Sequence, residues 1–282
     1  MRQAAKRRFG QHFLRDTGIA GKIAALVAAG PESAVLEVGA GDGALTAHLV
    51  PNACRFAAVE IDADHWETLE ALLAPAPSAR LIRGDFLSLD LGRLARELKG
   101  SAGRFVITGN LPYNIATPII DRCLRLDPRP DLLVFMLQRE VAQRITAIPN
   151  TREYGLLSVF VQHRAQARLA FRVSSACFVP RPRVESAVVT LHPKPQRFPA
   201  SLDDAFDEVV RASFAHRRKT LVNSLKRDHL LACNAGRLLE RAGLDGSRRA
   251  ESLTLDEFER LATVLHAWRT GAESTDSAAG SK

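Results

Sequence analysis

The feature that most constrains this chain is a series of short apolar runs, each followed by a stretch of helical periodicity. Residues 34–38, 55–61, 79–82, 104–108 and 132–137 read as strands, and residues 43–50, 64–73 and a segment running through Leu98 read as helices between them. Near-continuous apolar strands that alternate with helices belong in a parallel sheet covered on both faces. The pattern therefore predicts a doubly wound α/β domain. Before it, Asp16 or Thr17 can cap a helix that runs to about Ala29, with Gly30-Pro31 as its stop. After it come helices near 140–147 and 155–162, and then residues 167–173 and 187–192, which fit antiparallel edge strands.

The pattern changes past residue 192. Pro193, Pro195 and Pro199 mark a stiff linker, and the segments beyond it, 203–213, 219–226, 235–242 and 254–268, are helical only. Thr254 and Glu257 have the spacing of a capping box for the last of them. The expected organisation is a catalytic domain over residues 1–195, including a basic arm over 1–15, a small all-helical domain over 196–270, and a disordered tail over 271–282.

In an open parallel sheet, ligands bind outside the carboxyl ends of the strands, so the residues there carry most of the functional information. The first strand ends in Glu37-Val-Gly39-Ala-Gly41-Asp-Gly43. Glycines let the backbone approach a ligand closely, but the spacing departs from the Gly-x-Gly-x-x-Gly of dinucleotide sites. An adenosyl ligand without a pyrophosphate suits it better. Glu37 can hold a cationic amino group, which S-adenosylmethionine has and NAD lacks. Glu60, at the end of the second strand, has the address of a carboxylate for ribose hydroxyls, and Ile61 can cover one face of an adenine. Asp85, with Phe86 beside it, ends the third strand and can accept from an adenine amine.

The next strand opens into Gly109-Asn110-Leu111-Pro112-Tyr113. Asn110 can accept a hydrogen bond from an exocyclic amine, the Leu111 or Pro112 carbonyl can accept a second, and Tyr113 offers a ring for a flat base to stack on. An isolated motif of this kind is as often a turn. Its arrival on the same sheet edge as Glu37, Gly39, Gly41 and Glu60 makes it the base-holding half of a two-part pocket.

The formal net charge of +8 points to a polyanionic partner. The basic residues cluster at 6–8, at Arg181 and Arg183, and at Arg217, Arg218 and Lys219. Cys54, Cys123, Cys177 and Cys233 are scattered without a Cys-x-x-Cys, which argues against a zinc site and for free thiols. No apolar segment near the start is long enough to cross a bilayer, so a cytoplasmic protein is expected.

Taken together, Phe9-Gly10-Gln11-His12-Phe13-Leu14, Glu37 to Gly43, Glu60, Asp85, Asn110 to Tyr113 and Phe178-Val-Pro180-Arg-Pro182-Arg-Val184-Glu-Ser186-Ala187-Val188 resemble the small-subunit (16S) ribosomal RNA adenine dimethyltransferase family. Phe214-Ala-His-Arg217-Arg218-Lys219-Thr220-Leu221 and Arg249-Ala250-Glu251 extend the resemblance through the helical part. It implies a Rossmann-like S-adenosylmethionine-dependent methyltransferase domain with a mostly parallel sheet and a helical RNA-binding domain. The reaction implied is dimethylation of N6 on two adjacent adenines in a terminal hairpin of 16S rRNA in an immature small subunit, by a monomer without a metal.

The resemblance also assigns cofactor contacts to His12, Leu14, Gly39, Glu60, Asp85 and Asn110, places Phe178 with Tyr113 around the adenine, and gives Arg217, Arg218 and Lys219 to RNA. His12 stands where many relatives have Asn, and Ser174-Ser175 replaces a common Pro-Pro. The rival readings are a 23S rRNA adenine methyltransferase of the antibiotic-resistance type, an assembly factor acting mainly by binding, and an NAD oxidoreductase.

Overall fold

The structure, a computed structural model, describes residues 12–195, 200–229 and 231–271. Most of the expected basic arm (1–11), the middle of the linker (196–199) and the expected tail (272–282) lie outside the described residues. The described chain divides into two units, one running to Thr146 and including Arg164–Lys194, the other made of Ala147–His163 and the chain from Pro195 onward.

In the first unit, β1 (Phe13–Leu14) precedes α1 (Thr17–Val27). Asp16 is the cap of α1, its carboxylate accepting the Ile19 N–H at 3.0 Å. The helix ends at Val27 with Ala28, at φ 47°, as its cap, just short of the expected end near Ala29. There follow β2 (Ser33–Val38), α2 (Thr46–Leu49), β3 (Arg55–Glu60), α3 (Trp66–Leu73), β4 (Ala79–Arg83), α4 (Leu91–Lys99), β5 (Arg104–Asn110), α5 (Ala116–Leu124), β6 (Leu132–Gln138) and α6 (Arg139–Thr146). After α7 (Leu156–Arg164), which up to His163 belongs to the second unit, the first unit resumes with β7 (Ala165–Val173), β8 (Phe178–Val179) and β9 (Ser186–Pro193).

Seven strands form one sheet in the order β4-β3-β2-β5-β6-β9-β7. The first five are parallel, and β9 and β7 run antiparallel to their neighbours. This is the expected α/β arrangement, and it brings the ends of β2, β3, β4 and β5 to one edge. Every residue of β2 is buried, as both-face coverage requires.

Several local expectations change. Of the two strands expected at the edge, β9 is interior, paired with β6 and β7, and β7 is the edge, with β4 at the other end of the sheet. The unbroken burial of residues 186–191 reflects its two neighbours. The helix expected from Gly43 begins at Thr46, because Gly39, Gly41 and Gly43 all have positive φ and keep the loop non-helical that far. Two elements have no counterpart among the sequence expectations. One is α5, and the other is the two-stranded sheet of β1 and β8, in which Phe13 faces Val179 and Leu14 faces Phe178.

The second unit holds α8 (Ala200–Phe214), α9 (Leu221–Leu225), α10 (Ala235–Arg241) and α11 (Leu255–Thr270). The capping box forms as expected: Thr254 Oγ1 accepts the Glu257 N–H and Glu257 accepts the Thr254 N–H at 2.8 Å. The expected boundary at residue 195 lies beside the observed break after Lys194, but residues 147–163, expected in the first domain, belong to the helical unit. Tyr154 and Val159 lie in the helical core with Phe206 and Phe258, and the Tyr154 hydroxyl donates to the Leu253 carbonyl at 2.9 Å. His163 completes the attachment: its ring stacks on Phe206, and its nitrogens lie 3.1 and 3.2 Å from Glu259 and Asp203.

Candidate active site

The carboxyl edge of β2, β3 and β5 opens on a cleft, where ligands of open α/β sheets bind. Glu37, Gly39, Gly41, Glu60, Ile61, Asn110, Leu111, Pro112 and Tyr113 all line it, and so do His12 and Leu14 from the segment before α1. Phe13 and Asp42, which fall within the sequence motifs without a role of their own there, line it too, and so does Met136, which no sequence signal singles out.

Glu37 is buried, and its Oε2 accepts the Thr46 hydroxyl at 2.6 Å. Burial pushes its carboxyl up to about 8, against the Thr46 hydrogen bond and with the nearby Glu60 and Asp42 adding to the rise. A buried acid held neutral beside a cleft is a place where a cation is favoured. Glu60, also buried, accepts the Gly41 N–H on Oε2 and the Asp62 N–H on Oε1, both at 2.7 Å. It therefore braces the glycine loop against the end of β3. A carboxylate has about four lone-pair sites, so two remain for a ligand. The loop is confined from the other side by Phe13: a Cβ on Gly41, which has φ +56°, would lie 3.2 Å from that ring.

The β5 end is built as closely. A Cβ on Gly109 would lie 2.3 Å from the Val38 carbonyl oxygen, so only glycine lets β5 approach β2 there. Asn110 follows, and its Nδ2 donates to the His12 carbonyl at 3.0 Å. This contact fixes the orientation of the amide and leaves Oδ1 as its free acceptor. The Leu111 N–H donates to the Met136 carbonyl at 3.0 Å, and the Pro112 carbonyl closes a turn by accepting the Ile115 N–H at 3.2 Å. The Tyr113 hydroxyl lies 3.0 Å from Ser186 Oγ, and burial raises its phenol pKa, opposed by that contact. The His12 ring packs against Tyr113, centroids 5.6 Å apart, and its Nδ1 donates to the Pro180 carbonyl at 2.8 Å.

Three expected site residues do not line the cleft. The Asp85 carboxylate caps the turn after β4 by accepting the Leu87 N–H at 2.9 Å. Phe86 and Phe178 are buried side chains, Phe178 in the core beside Leu14. In the helical unit, Arg218 and Lys219 are exposed, whereas Arg217 donates to the Arg152 and Tyr154 carbonyls at 3.3 Å each. Among the described residues, no group of His, Cys, Asp or Glu side chains has a metal-binding arrangement, and no helix is long and apolar enough to cross a membrane.

A profile of the family described as ribosomal RNA adenine dimethylase matches residues 2–265. The chain belongs to this family. Ribosomal RNA small subunit methyltransferase A of Geobacter sulfurreducens is 41% identical over 266 residues, covering 93% of this chain and 95% of that protein. The protein of the same name from Pseudomonas syringae pv. tomato is 39% identical over 262 residues, covering 93% and 94%.

Among solved structures, a dimethyladenosine transferase from Plasmodium falciparum shares the fold with a TM-score of 0.74 at 24% identity, over 92% of this chain and 98% of that one. The 23S rRNA methyltransferase ErmE is similar with a TM-score of 0.66 at 26% identity, over 90% and 99%. As a ribosomal RNA adenine dimethylase, the chain is a methyltransferase with S-adenosylmethionine as its methyl donor. The buried acid at Glu37, the positive-φ loop at Gly39 and Gly41 and the buried carboxylate at Glu60 fit that donor.

Proposed function

We propose that this chain dimethylates N6 of two adjacent adenines in the 3′-terminal hairpin of 16S rRNA, within an immature small subunit, as a cytoplasmic monomer. The observation that carries the reading is the Asn110 amide, which the His12 carbonyl holds with its oxygen free on the cleft shared by Glu37 and Glu60. The 41% identity to a protein named for the small subunit supports 16S over 23S rRNA. The likeness to ErmE does not separate the two, because fold is common to both.

When bound, S-adenosylmethionine supplies an electrophilic sulfonium methyl. Glu37 would hold the donor's ammonium, Glu60 its ribose hydroxyls, Ile61 one face of its adenine, and His12, Leu14, Gly39 and Gly41 the remainder of that half-site, with Asp85 and Phe86 shaping the β4 end outside the cleft. The target N6 is a poor nucleophile because its lone pair is delocalised into the ring. Asn110 Oδ1 accepts one amine proton, and the Leu111 or Pro112 carbonyl accepts the second, the Pro112 oxygen keeping a lone pair beside its turn to Ile115. Two acceptors draw the nitrogen toward a pyramidal geometry and free its lone pair.

Stacking on Tyr113 orients the base, with Phe178 supporting the site from the core beside Leu14. The aromatic face also tolerates the positive charge that develops on the nitrogen, and water takes the proton afterwards, so no basic side chain is required. The adenine must be unstacked to enter, and Arg218 and Lys219 grip the RNA backbone. The test is mass spectrometry of RNA after incubation with immature small subunits, naked 16S RNA and large-subunit RNA. Dimethyladenosine confined to adjacent 16S positions is expected, with loss of at least about 100-fold in Asn110→Ala. Modification of large-subunit RNA, or full activity in Asn110→Ala, refutes the reading.

A further inference from the structure

Ser186 has no part in the reading above. It is the first residue of β9, completely buried, with its side-chain oxygen 3.0 Å from the Tyr113 hydroxyl. The sheet explains why it is there. β9 runs antiparallel to β6, so its amino end arrives at the edge where the parallel strands finish, and Ser186 pairs with Gln138 on one side and Val173 on the other. The preceding residue is held as well, because the Arg139 N–H donates to the Glu185 carbonyl at 2.9 Å and the Arg139 and Glu185 side chains form an ion pair. Ser186 is thus fixed by two neighbouring strands. Tyr113 is not: it stands on the turn between β5 and α5, where no ladder holds it.

We propose that Ser186 is a positioning residue for Tyr113, tethering the phenol so that the ring is presented to the target adenine in one orientation. The proposal rests on the reading of Tyr113 as the stacking surface for that base. Two consequences follow from the geometry. With its hydroxyl engaged by Ser186, Tyr113 contributes its face and not an acid or a base. The tether also removes a rotational freedom that the ring would otherwise lose in the transition state, so its effect falls on kcat for RNA methylation and leaves KM for S-adenosylmethionine unchanged.

A neutral hydrogen bond of this type corresponds to a rate effect of about 3- to 10-fold. The experiment is a double-mutant cycle on methylation of small-subunit RNA, with Ser186→Ala, Tyr113→Phe and the double variant, each checked by thermal melting. Each single change should lower kcat by about 3- to 10-fold, and the double variant should match Tyr113→Phe alone. Ser186→Thr, which keeps the hydroxyl, should restore most of the activity.

Multiplying effects in the double variant, or wild-type kcat in Ser186→Ala, overturns the tether. If Ser186→Ala fails to fold, Tyr113→Phe and Ser186→Thr still decide: full activity in the first, or loss in the second without a change in melting, overturns it. Tyr113→Ala separates this proposal from the one beneath it. Full activity there removes the stacking role itself, whereas a large loss combined with an uncoupled cycle removes only the role of Ser186.

Discussion

Replacing Glu37 by Gln should make the ligand-free protein increasingly more stable than wild type as pH rises. Glu37 is buried, its carboxyl is pushed up from an ordinary 4.5 to about 8, and burial is the largest cause. The folded state therefore binds more protons than the unfolded state between those two values. Stability contributed by the neutral acid is complete below pH 4.5 and is lost progressively up to pH 8, above which the loss is constant. The slope is about 1.4 kcal/mol per pH unit, so by pH 7 Glu37 costs about 3 kcal/mol relative to its effect in acid.

Gln is a neutral isostere whose carbonyl can still accept the Thr46 hydroxyl. The stability difference between the Glu37→Gln variant and wild type should grow by about 1.4 kcal/mol per unit from pH 5 to 8 and then level off. In a melting experiment at pH 7 this is about 6–12 °C for a unit of this size. Comparing the two proteins at each pH cancels the titrating groups that do not interact with Glu37, leaving only its neighbours Glu60 and Asp42. A variant no more stable at pH 8 than at pH 5, relative to wild type, refutes the claim that Glu37 is a neutral acid in the free protein.

The cost has a functional counterpart. If Glu37 meets the donor's ammonium, it must ionise on binding, and about one proton should be released at pH 7. Calorimetry of S-adenosylmethionine binding in buffers of different ionisation enthalpy measures this directly. Release in wild type and none in Glu37→Gln is expected, and equal release in both refutes the pairing.

Other perturbations test the frame around the site. Gly109→Ala places a Cβ 2.3 Å from the Val38 carbonyl oxygen, so β5 must separate from β2; melting should fall by the equivalent of about 2–3 kcal/mol and Asn110 should be displaced, with methylation lost. Wild-type melting would show that the strands have room. Arg217→Ala removes two hydrogen bonds to the carbonyls of residues 152 and 154, and because the side chain is exposed the cost is about 0.5–1 kcal/mol, read as lower melting. Arg218→Ala with Lys219→Ala should leave melting unchanged and reduce the salt dependence of RNA affinity, so an unchanged salt slope removes their RNA role.

How much of this is legible in the sequence depends on what fixes each feature. The strand pattern alone brings Glu37, Glu60 and Asn110 together, because a parallel sheet sends successive strand ends to one edge whatever the side chains do. Their partners are not legible in the same way. That Glu60 braces Gly41, that Thr46 faces Glu37 and that Ser186 reaches Tyr113 are products of how different elements pack, not of any local periodicity. The pairing of β1 with β8 joins two residues to two across more than half the chain, and such short strands leave no periodicity to read.

The difference at β9 has the same origin. An apolar run such as Ala187-Val-Val-Thr-Leu191 is equally compatible with an edge or an interior strand, and only the neighbours decide. A boundary drawn at the prolines misplaces residues 147–163, because a helix pattern reports which face is buried and not what buries it. These hidden partners are where the chemistry is tuned. The sequence places a carboxyl at position 37, but its burial, with Glu60 and Asp42 near, is what holds it neutral until a cation arrives, while the Thr46 hydroxyl favours the ionised form. A variant with the motif intact and Thr46 replaced by Val would keep every residue that identifies the site and lose the donor that steadies the ionised carboxylate, so its affinity for S-adenosylmethionine should fall while the fold persists.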